Sequence, residues 1–117
     1  MEPKEVDFEV TRGDTLPITF DLKDYEKKAL TEFDEIYFTM KKSTNTTEFI
    51  LQKRLSKGQI ELVDEENFAF ELAHKDTASL AYGKYVYDIQ VVSGDYVATP
   101  YIGTITLTKE VTFISNE

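Results

Sequence analysis

Apolar and polar side chains alternate with a period of two along most of this chain. Val6, Phe8 and Val10, for example, alternate with Asp7 and Glu9 near the N-terminus. Side chains two positions apart lie on the same face of a strand, so this pattern predicts strands with one buried face and one wet face. Such strands are typical of antiparallel sheets. Because the strands are short and separated by turns, the pattern predicts an all-β fold, either a sandwich or a small barrel.

Glycine and proline indicate where the strands end or bend. Four of the five glycines fall in predicted turns, where a positive φ angle favours glycine: Gly13, Gly58, Gly83 and Gly94. Gly103 lies inside a strand instead, which predicts a bulge or the close approach of another backbone segment. Pro17 and Pro100 cannot donate to a sheet, so each marks an edge, a strand start or a bulge. We expect the last strand to break near Pro100, with its second half paired in a separate register.

The segment from residue 73 to residue 83 departs from the alternation and predicts a short helical turn before the penultimate strand. Asp76 is expected to cap the first turn, Leu80 to point into the core, and Gly83 to end the helix with a positive φ. The predicted core comprises Phe20, Phe38, Phe70, Leu80, Tyr87, Ile89 and Leu107.

Length and charge limit the classes of function. The 117 residues fit a single domain, 1–117. With 22 acidic and 13 basic residues the net charge is −9, which disfavours nucleic acids and anionic membranes as partners. The chain has no cysteine, which excludes disulfides and thiolate chemistry. The charged N-terminus lacks the apolar stretch of a signal peptide, and no apolar run approaches the roughly 18 residues of a spanning helix, so we expect synthesis in a cytoplasm.

Few residues could carry chemistry. His74 is the only histidine, and the sequence has no nucleophile elbow, phosphate-binding glycine loop or paired-histidine motif. We therefore predict a solvent-facing His74, no catalytic, cofactor-binding or metal-binding residues, no cofactor, and a protein that is not an enzyme. Two acidic groups contain oxygen ligands of the kind calcium prefers: the turn 64–67, and the set Asp21, Asp24 and Glu26. Neither follows a known loop spacing, so solvated turns are the default interpretation.

Several tyrosines fall outside the inward-facing set. The candidate interface residues are Tyr37, Tyr82, Tyr96 and Tyr101. Exposed tyrosines bring a large contact area at little entropic cost, which favours protein interfaces, and they can also stack on sugar rings. The residues by themselves leave open a protein interface, carbohydrate binding, or scattered tyrosines without a role.

The order of four short motifs resembles one known family. The motifs are Arg12-Gly13-Asp14-Thr15 at the start of a strand, Tyr37 to Lys42, Tyr82 to Asp88, and Thr99-Pro100 in the last strand. Together they resemble the N-terminal immunoglobulin-like domain of phage baseplate upper proteins and related small prophage tail proteins, over residues 8–108. The resemblance implies an antiparallel immunoglobulin-like β-sandwich. It also implies a non-enzymatic structural protein of a phage or prophage tail or baseplate.

In that role the chain is expected to be a virion component, synthesised in the bacterial cytoplasm, that contacts other phage tail or baseplate proteins. Self-association is expected to be weak and to tighten as salt screens the negative charge. The alternative function is a carbohydrate-binding β-sandwich module. The resemblance also implies that Arg12-Gly13-Asp14 is the tight connection between the first two strands, and not an integrin ligand. Residues 76–78 resemble the turn before strand F of antibody domains, although no tyrosine lies at that family's spacing.

Overall fold

The computed structural model describes residues 3–21, 34–64 and 67–109. Within these ranges the chain forms nine β-strands and little helix. The strands are β1 (Lys4–Glu5), β2 (Phe8–Thr11), β3 (Leu16–Asp21), β4 (Glu35–Lys41), β5 (Leu51–Arg54), β6 (Glu61–Leu62), β7 (Asn67–Leu72), β8 (Gly83–Ser93) and β9 (Tyr96–Thr108). A 3-10 turn, Leu55–Lys57, follows β5, and one short helix, α1 (His74–Thr77), lies between β7 and β8.

The strands form two sheets that pack face to face. The larger sheet has the order β1-β9-β8-β4-β5, with β2 also pairing to β9, and the smaller sheet has the order β3-β7-β6. This division of the strands follows the immunoglobulin sandwich. The prediction of an all-β sandwich with a helical turn before the penultimate strand is therefore confirmed. The larger sheet is mixed, because β1 and β2 run parallel to β9 while its other pairs are antiparallel.

The core lies between the two sheets and is rich in aromatic rings. Six of the seven predicted core residues are buried, and Leu80 is half-buried against them. The ring centroids of Phe20 and Tyr101 lie 4.4 Å apart, and those of Phe38 and Phe70 lie 4.7 Å apart. Aromatic side chains each bury a large area and prefer tilted contacts of this kind. In a chain without cysteine, these rings join the two sheets.

The last strand changes register near Pro100, as the sequence predicts. Ile89 pairs with Tyr101, but Val91 pairs with Ala98, so β9 holds one extra residue between the two pairs. One extra residue on one strand is a β-bulge, which strengthens the local twist. Pro17 lies in β3 at an edge of the smaller sheet, where its missing N–H is harmless.

Gly103 marks a close backbone approach, which was one of its two predicted roles. A Cβ atom built at Gly103 would overlap the carbonyl oxygen of Val6 in the connection between β1 and β2. The hydroxyl of Tyr87 donates a hydrogen bond of 2.6 Å to that same oxygen. Only glycine leaves room for this connection to lie against β9, so Gly103 permits the parallel edge of the larger sheet.

Helix α1 is shorter than predicted. It ends at Thr77, and Gly83 opens β8 instead of ending the helix, although its φ of 129° is positive as expected. The carboxylate of Asp76 accepts a hydrogen bond of 2.7 Å from the backbone N–H of Ala73, which confirms its capping role. The same carboxylate forms an ion pair of 3.0 Å with Lys53 on β5. Asp76 therefore ties α1 to the edge of the larger sheet.

A tyrosine corner is present although the sequence spacing spoke against it. The hydroxyl of Tyr85, near the start of β8, donates a hydrogen bond of 2.8 Å to the carbonyl oxygen of Ala81. Immunoglobulin sandwiches carry such a bond where the chain enters the corresponding strand. The longer connection after α1 moves the tyrosine further from the Asp76 run, which is why the spacing did not match.

Candidate functional site

The four candidate tyrosines do not form one surface. Tyr101 is buried beneath Phe20, and its hydroxyl donates a hydrogen bond of 2.6 Å to the carbonyl oxygen of Asp21. Its assignment to an exposed interface is therefore wrong. Tyr96 is half-buried and packs against the core.

The two remaining tyrosines lie far apart and each contacts an arginine. The guanidinium of Arg54 lies 5.0 Å from the ring centroid of Tyr37, and that of Arg12 lies 4.3 Å from the centroid of Tyr82. Tyr37 lies opposite Gln90, whereas Tyr82 precedes the other end of β8. Roughly 26 Å of chain lies between Tyr82 and Gln90, at about 3.3 Å per residue of strand. The stacking platform on which the carbohydrate alternative depended is therefore not formed.

The Arg12-Gly13-Asp14 segment is a turn held by the region around α1, consistent with the sequence interpretation. The backbone N–H of Gly13 donates a hydrogen bond of 2.9 Å to the hydroxyl of Thr77, which is fully buried. Nδ1 of His74 lies 2.6 Å from the carbonyl oxygen of Gly13, and Nη1 of Arg12 donates to the carbonyl oxygen of Leu80 at 3.1 Å. His74 is exposed, as predicted, but it serves this contact between two loops.

Glu35 is a buried carboxylate whose bonding is complete within the chain. Oε2 accepts hydrogen bonds from Nε and Nη2 of Arg54 at 3.2 and 3.0 Å, and Oε1 accepts from the backbone N–H groups of Ser56 at 2.9 Å and Ile36 at 3.2 Å. Burial by itself raises the pKa of Glu35, but the hydrogen bonds from Ser56, Arg54 and Ile36 outweigh it and lower the pKa below 4.5. This cluster fixes the edge strand β5 and leaves no oxygen for a ligand.

The acidic groups considered for calcium give no site in the described part of the chain. The carboxylate of Asp64 accepts hydrogen bonds from the backbone N–H of Asn67 at 2.9 Å and from its side-chain amide at 3.0 Å, which closes the turn. Asp24, Glu26 and the residues 65–66 lie outside the described residues. Within residues 3–21, 34–64 and 67–109, no group of three or more His, Cys, Asp or Glu side chains could hold a metal ion.

A groove of about 390 Å³ lies on the outer face of the larger sheet. Its lining, which we call the sheet groove, is Glu5, Thr39, Lys41, Thr44, Val86, Tyr87, Asp88, Ile102, Gly103 and Thr104. Strand register brings these residues together: Asp88 lies beside Thr39 on β4 and beside Ile102 on β9. Inward-facing Tyr87 and Ile89 are buried, so the alternation places Asp88 on the outer face.

Asp88 is a half-buried carboxylate that receives no hydrogen bond from the described residues. Burial raises its pKa, and the positive charge of Lys41 offsets part of that rise. The ammonium of Lys41 itself donates a hydrogen bond of 3.2 Å to the carbonyl oxygen of Thr46. The sheet groove thus has both apolar and polar walls, and the carboxylate of Asp88 can accept a hydrogen bond from a donor outside the described residues.

Little in the sequence predicts this groove. Alternation identifies Asp88, Thr39 and Ile102 only as wet positions on three separate strands. The local signals were Ile102 and Val86, which are apolar residues at positions that alternation assigns to the wet face. Which wet positions adjoin depends on strand register.

Comparison with known proteins gives little further information. No family model matches the chain, and no curated protein matches it. Among solved structures it is similar to CopC from Methylosinus trichosporium OB3b, with a TM-score of 0.47, 14% identity, and coverage of 91% of this chain and 89% of CopC. A likeness of this size carries no argument about what the chain binds. Within the described residues, no helix is both long and apolar enough to cross a bilayer.

These comparisons contradict the predicted structural role in a phage or prophage tail. No family model or curated protein matches the chain and links it to a baseplate, and the solved structure reported above as similar is a CopC. The prediction of that role is wrong. The predicted absence of catalysis and the weak self-association stay predictions.

Proposed function

We propose that this chain is a non-catalytic binding module that holds a protein partner on the outer face of its larger sheet. The observation that carries the proposal is the sheet groove, in which Asp88 is half-buried among apolar and polar side chains and accepts no hydrogen bond from the described residues. A concave site with a few polar groups among apolar ones is the usual form of a binding site.

Exposed apolar side chains extend this face beyond the groove. Ile102 is 40% exposed and Val97 is 56% exposed, and both lie on the outer side of β9. The exposed positions on the outer side of the smaller sheet are mixed, since Thr19, Glu61 and Glu71 are polar whereas Pro17 and Val63 are apolar, and the described groove lies on the larger sheet. Apolar residues bordered by polar ones favour a protein contact, so the larger sheet is the better binding face.

The bonding of the polar side chains supports a binding role without catalysis. A general base needs an aligned nucleophile or substrate within hydrogen-bond reach. His74 instead contacts the backbone of Gly13, and Glu35 is held by Arg54 and Ser56. The hydroxyl of Thr77 is engaged with the same turn as His74. These groups hold loops and strands together.

Site-specific photo-crosslinking tests the proposal. A photoreactive phenylalanine derivative replaces Ile102 on the larger sheet or, as the matched control, Thr19 on the smaller sheet. We expect one protein from an extract of the source organism to be captured from position 102 and not from position 19. That protein is then identified by mass spectrometry and purified, and its Kd is measured by calorimetry.

The measured Kd decides the outcome. Ile102→Asp places a charge at the apolar part of the face, and we expect it to weaken binding about tenfold or more. Thr19→Asp makes the same charge change on the other sheet and should leave the Kd within about twofold. Equal capture from both positions, or a Kd that Ile102→Asp does not change, would contradict the proposal.

A further inference from the structure

Building on the proposed function, we infer that the sheet groove receives a lysine or arginine side chain from the partner, with Asp88 as its anchor. The partner is then a protein segment that presents a long cationic side chain to this face.

The first support is the state of the Asp88 carboxylate. It is half-buried and lines the groove, and no donor among the described residues lies within hydrogen-bond distance of it. A partly desolvated acceptor without a donor is unfavourable, so a donor brought by a ligand gains more here than at an exposed carboxylate. Among protein groups, ammonium and guanidinium groups form the strongest hydrogen bonds to a carboxylate.

The second support is the composition of the surrounding walls. Val86 lies two residues before Asp88, on the same face of β8, and Ile102 lies opposite Asp88 on β9. Lysine and arginine have an apolar stem and a charged head, and they pack the stem along apolar surface while the head reaches a polar partner. The walls formed by Val86 and Ile102 suit the stem, and Asp88 suits the head.

The third support is charge. The ionisable side chains that line the groove are Asp88, Glu5 and Lys41, and the chain as a whole carries a net charge of −9. The ammonium of Lys41 donates to the carbonyl oxygen of Thr46 and keeps its positive charge, so two carboxylates and one ammonium give the groove an excess of one negative charge. Complementary charge steers association and selects partners, so this face favours a basic segment. A second copy of the same acidic chain is disfavoured for the same reason.

The inference is tested by NMR titration of the isotope-labelled chain with short peptides. The probe is a peptide that carries one arginine between alanines, and its matched control carries citrulline, which has the same shape without the charge. We expect the arginine peptide to shift the backbone signals of Val86, Asp88 and Ile102, and the citrulline peptide to bind at least about tenfold more weakly.

Two variants separate the local effect of Asp88 from the net charge. Asp88→Asn should weaken the arginine peptide about tenfold or more, whereas Asp95→Asn, in the exposed turn between β8 and β9, makes the same charge change and should leave binding unaltered. The inference is overturned if the two variants bind alike, if citrulline equals arginine, or if no peptide binds. Binding of free agmatine as tight as that of the peptide would overturn the protein-segment occupant.

The partner obtained by crosslinking distinguishes this inference from the function on which it rests. If Ile102→Asp weakens the partner but Asp88→Asn and Asp95→Asn are equivalent, the face binds a protein without a cation in the groove. If Ile102→Asp has no effect, the binding face itself is wrongly assigned.

Discussion

Glu35 and Asp88 are two carboxylates on adjacent strands of the same sheet, and their surroundings differ. Glu35 at the start of β4 accepts hydrogen bonds from Arg54, Ser56 and Ile36, whereas Asp88 in β8 accepts none from the described residues. Hydrogen bonds lower the pKa of Glu35, while burial raises the pKa of Asp88. The described residues supply every donor for the first carboxylate, and none of them donates a hydrogen bond to the second.

This difference distinguishes a carboxylate that stabilises the fold from one that is a candidate for ligand binding. Removing one partner of a buried charge pair leaves the other without compensation, so a network such as that of Glu35 is a property of the fold. A perturbed carboxylate in a cleft, without a partner of its own, is instead a candidate for ligand binding. The number of acidic residues is therefore a poor guide to function in this chain, and the hydrogen bonds and ion pairs of each carboxylate are a better one.

The largest expected effect comes from breaking the core beneath both regions. Phe38 is fully buried on β4, between the strand start that carries Glu35 and the groove residue Thr39. Phe38→Ala leaves a cavity, and we expect it to lower the free energy of unfolding by about 3–5 kcal/mol, measured by chemical denaturation. Phe38→Leu removes less volume and should lower the free energy of unfolding by less, so it can be measured even if the alanine variant fails to fold. Unaltered stability of both variants would show that the assigned strand register is wrong.

A smaller effect is expected at the floor of the sheet groove. Gly103→Ala brings a methyl group onto the carbonyl oxygen of Val6, and we expect a loss of about 1–3 kcal/mol because the backbone of the parallel edge must move. Gly58→Ala is the control for destabilisation without overlap, since an alanine is strained at that positive φ but meets open space at its Cβ position. Hydrogen exchange should be faster at Val6 in the first variant only. Equal exchange in both would contradict the close approach.

Removing the charge of Glu35 tests the satisfied carboxylate. We expect Glu35→Gln to lower the free energy of unfolding by about 1–3 kcal/mol at neutral pH, because Arg54 loses its ion pair. The pKa of Glu35 is lower in the folded chain, so its contribution is complete above its ordinary pKa of 4.5 and is lost as the pH falls through the folded-state pKa. The difference between the two proteins should therefore shrink in acid. A difference independent of pH would contradict this account.

The smallest effect, of opposite sign, is expected at Asp88. Its pKa is raised on folding, so its contribution to stability is complete below the unfolded-state pKa and is lost as the pH rises through the folded-state pKa. Asp88→Asn should therefore stabilise the free protein slightly at neutral pH, and the gain should vanish in acid. Denaturation curves of the variant and of Asp95→Asn at several pH values measure this. A loss of stability at neutral pH would mean that Asp88 has a structural partner.

Local pattern in the sequence was sufficient for much of the fold. The alternation around Phe20, Phe38 and Tyr87 predicted the core, because the side-chain period of a strand is a local property. The turns at Gly13 and Gly94 were predictable for the same reason, since a positive φ is a requirement of single residues. The departure from alternation near Asp76 likewise predicted the helical turn.

The inward position of Tyr101 follows from the bulge in β9. Tyr96 and Ala98 point inward before the bulge near Pro100, and Tyr101 and Ile105 point inward after it. One extra residue reverses which positions face the core, so the parity of one half of β9 cannot be extended to the other. The proline signalled the break, but the count of residues in the bulge was decided by pairing with β8.

Local sequence specifies that this chain forms strands, where most of them turn and which side chains enter the core, because period, glycine and proline act within a few residues. Which strands are neighbours, and in what register, depends on contacts between segments that are distant in the sequence. The parallel pairing of β1 and β2 with β9 depends on the close approach of Gly103 to Val6, two residues that are far apart in the sequence. The sheet groove joins Asp88 to Ile102 by the same long-range pairing, which no local pattern encodes.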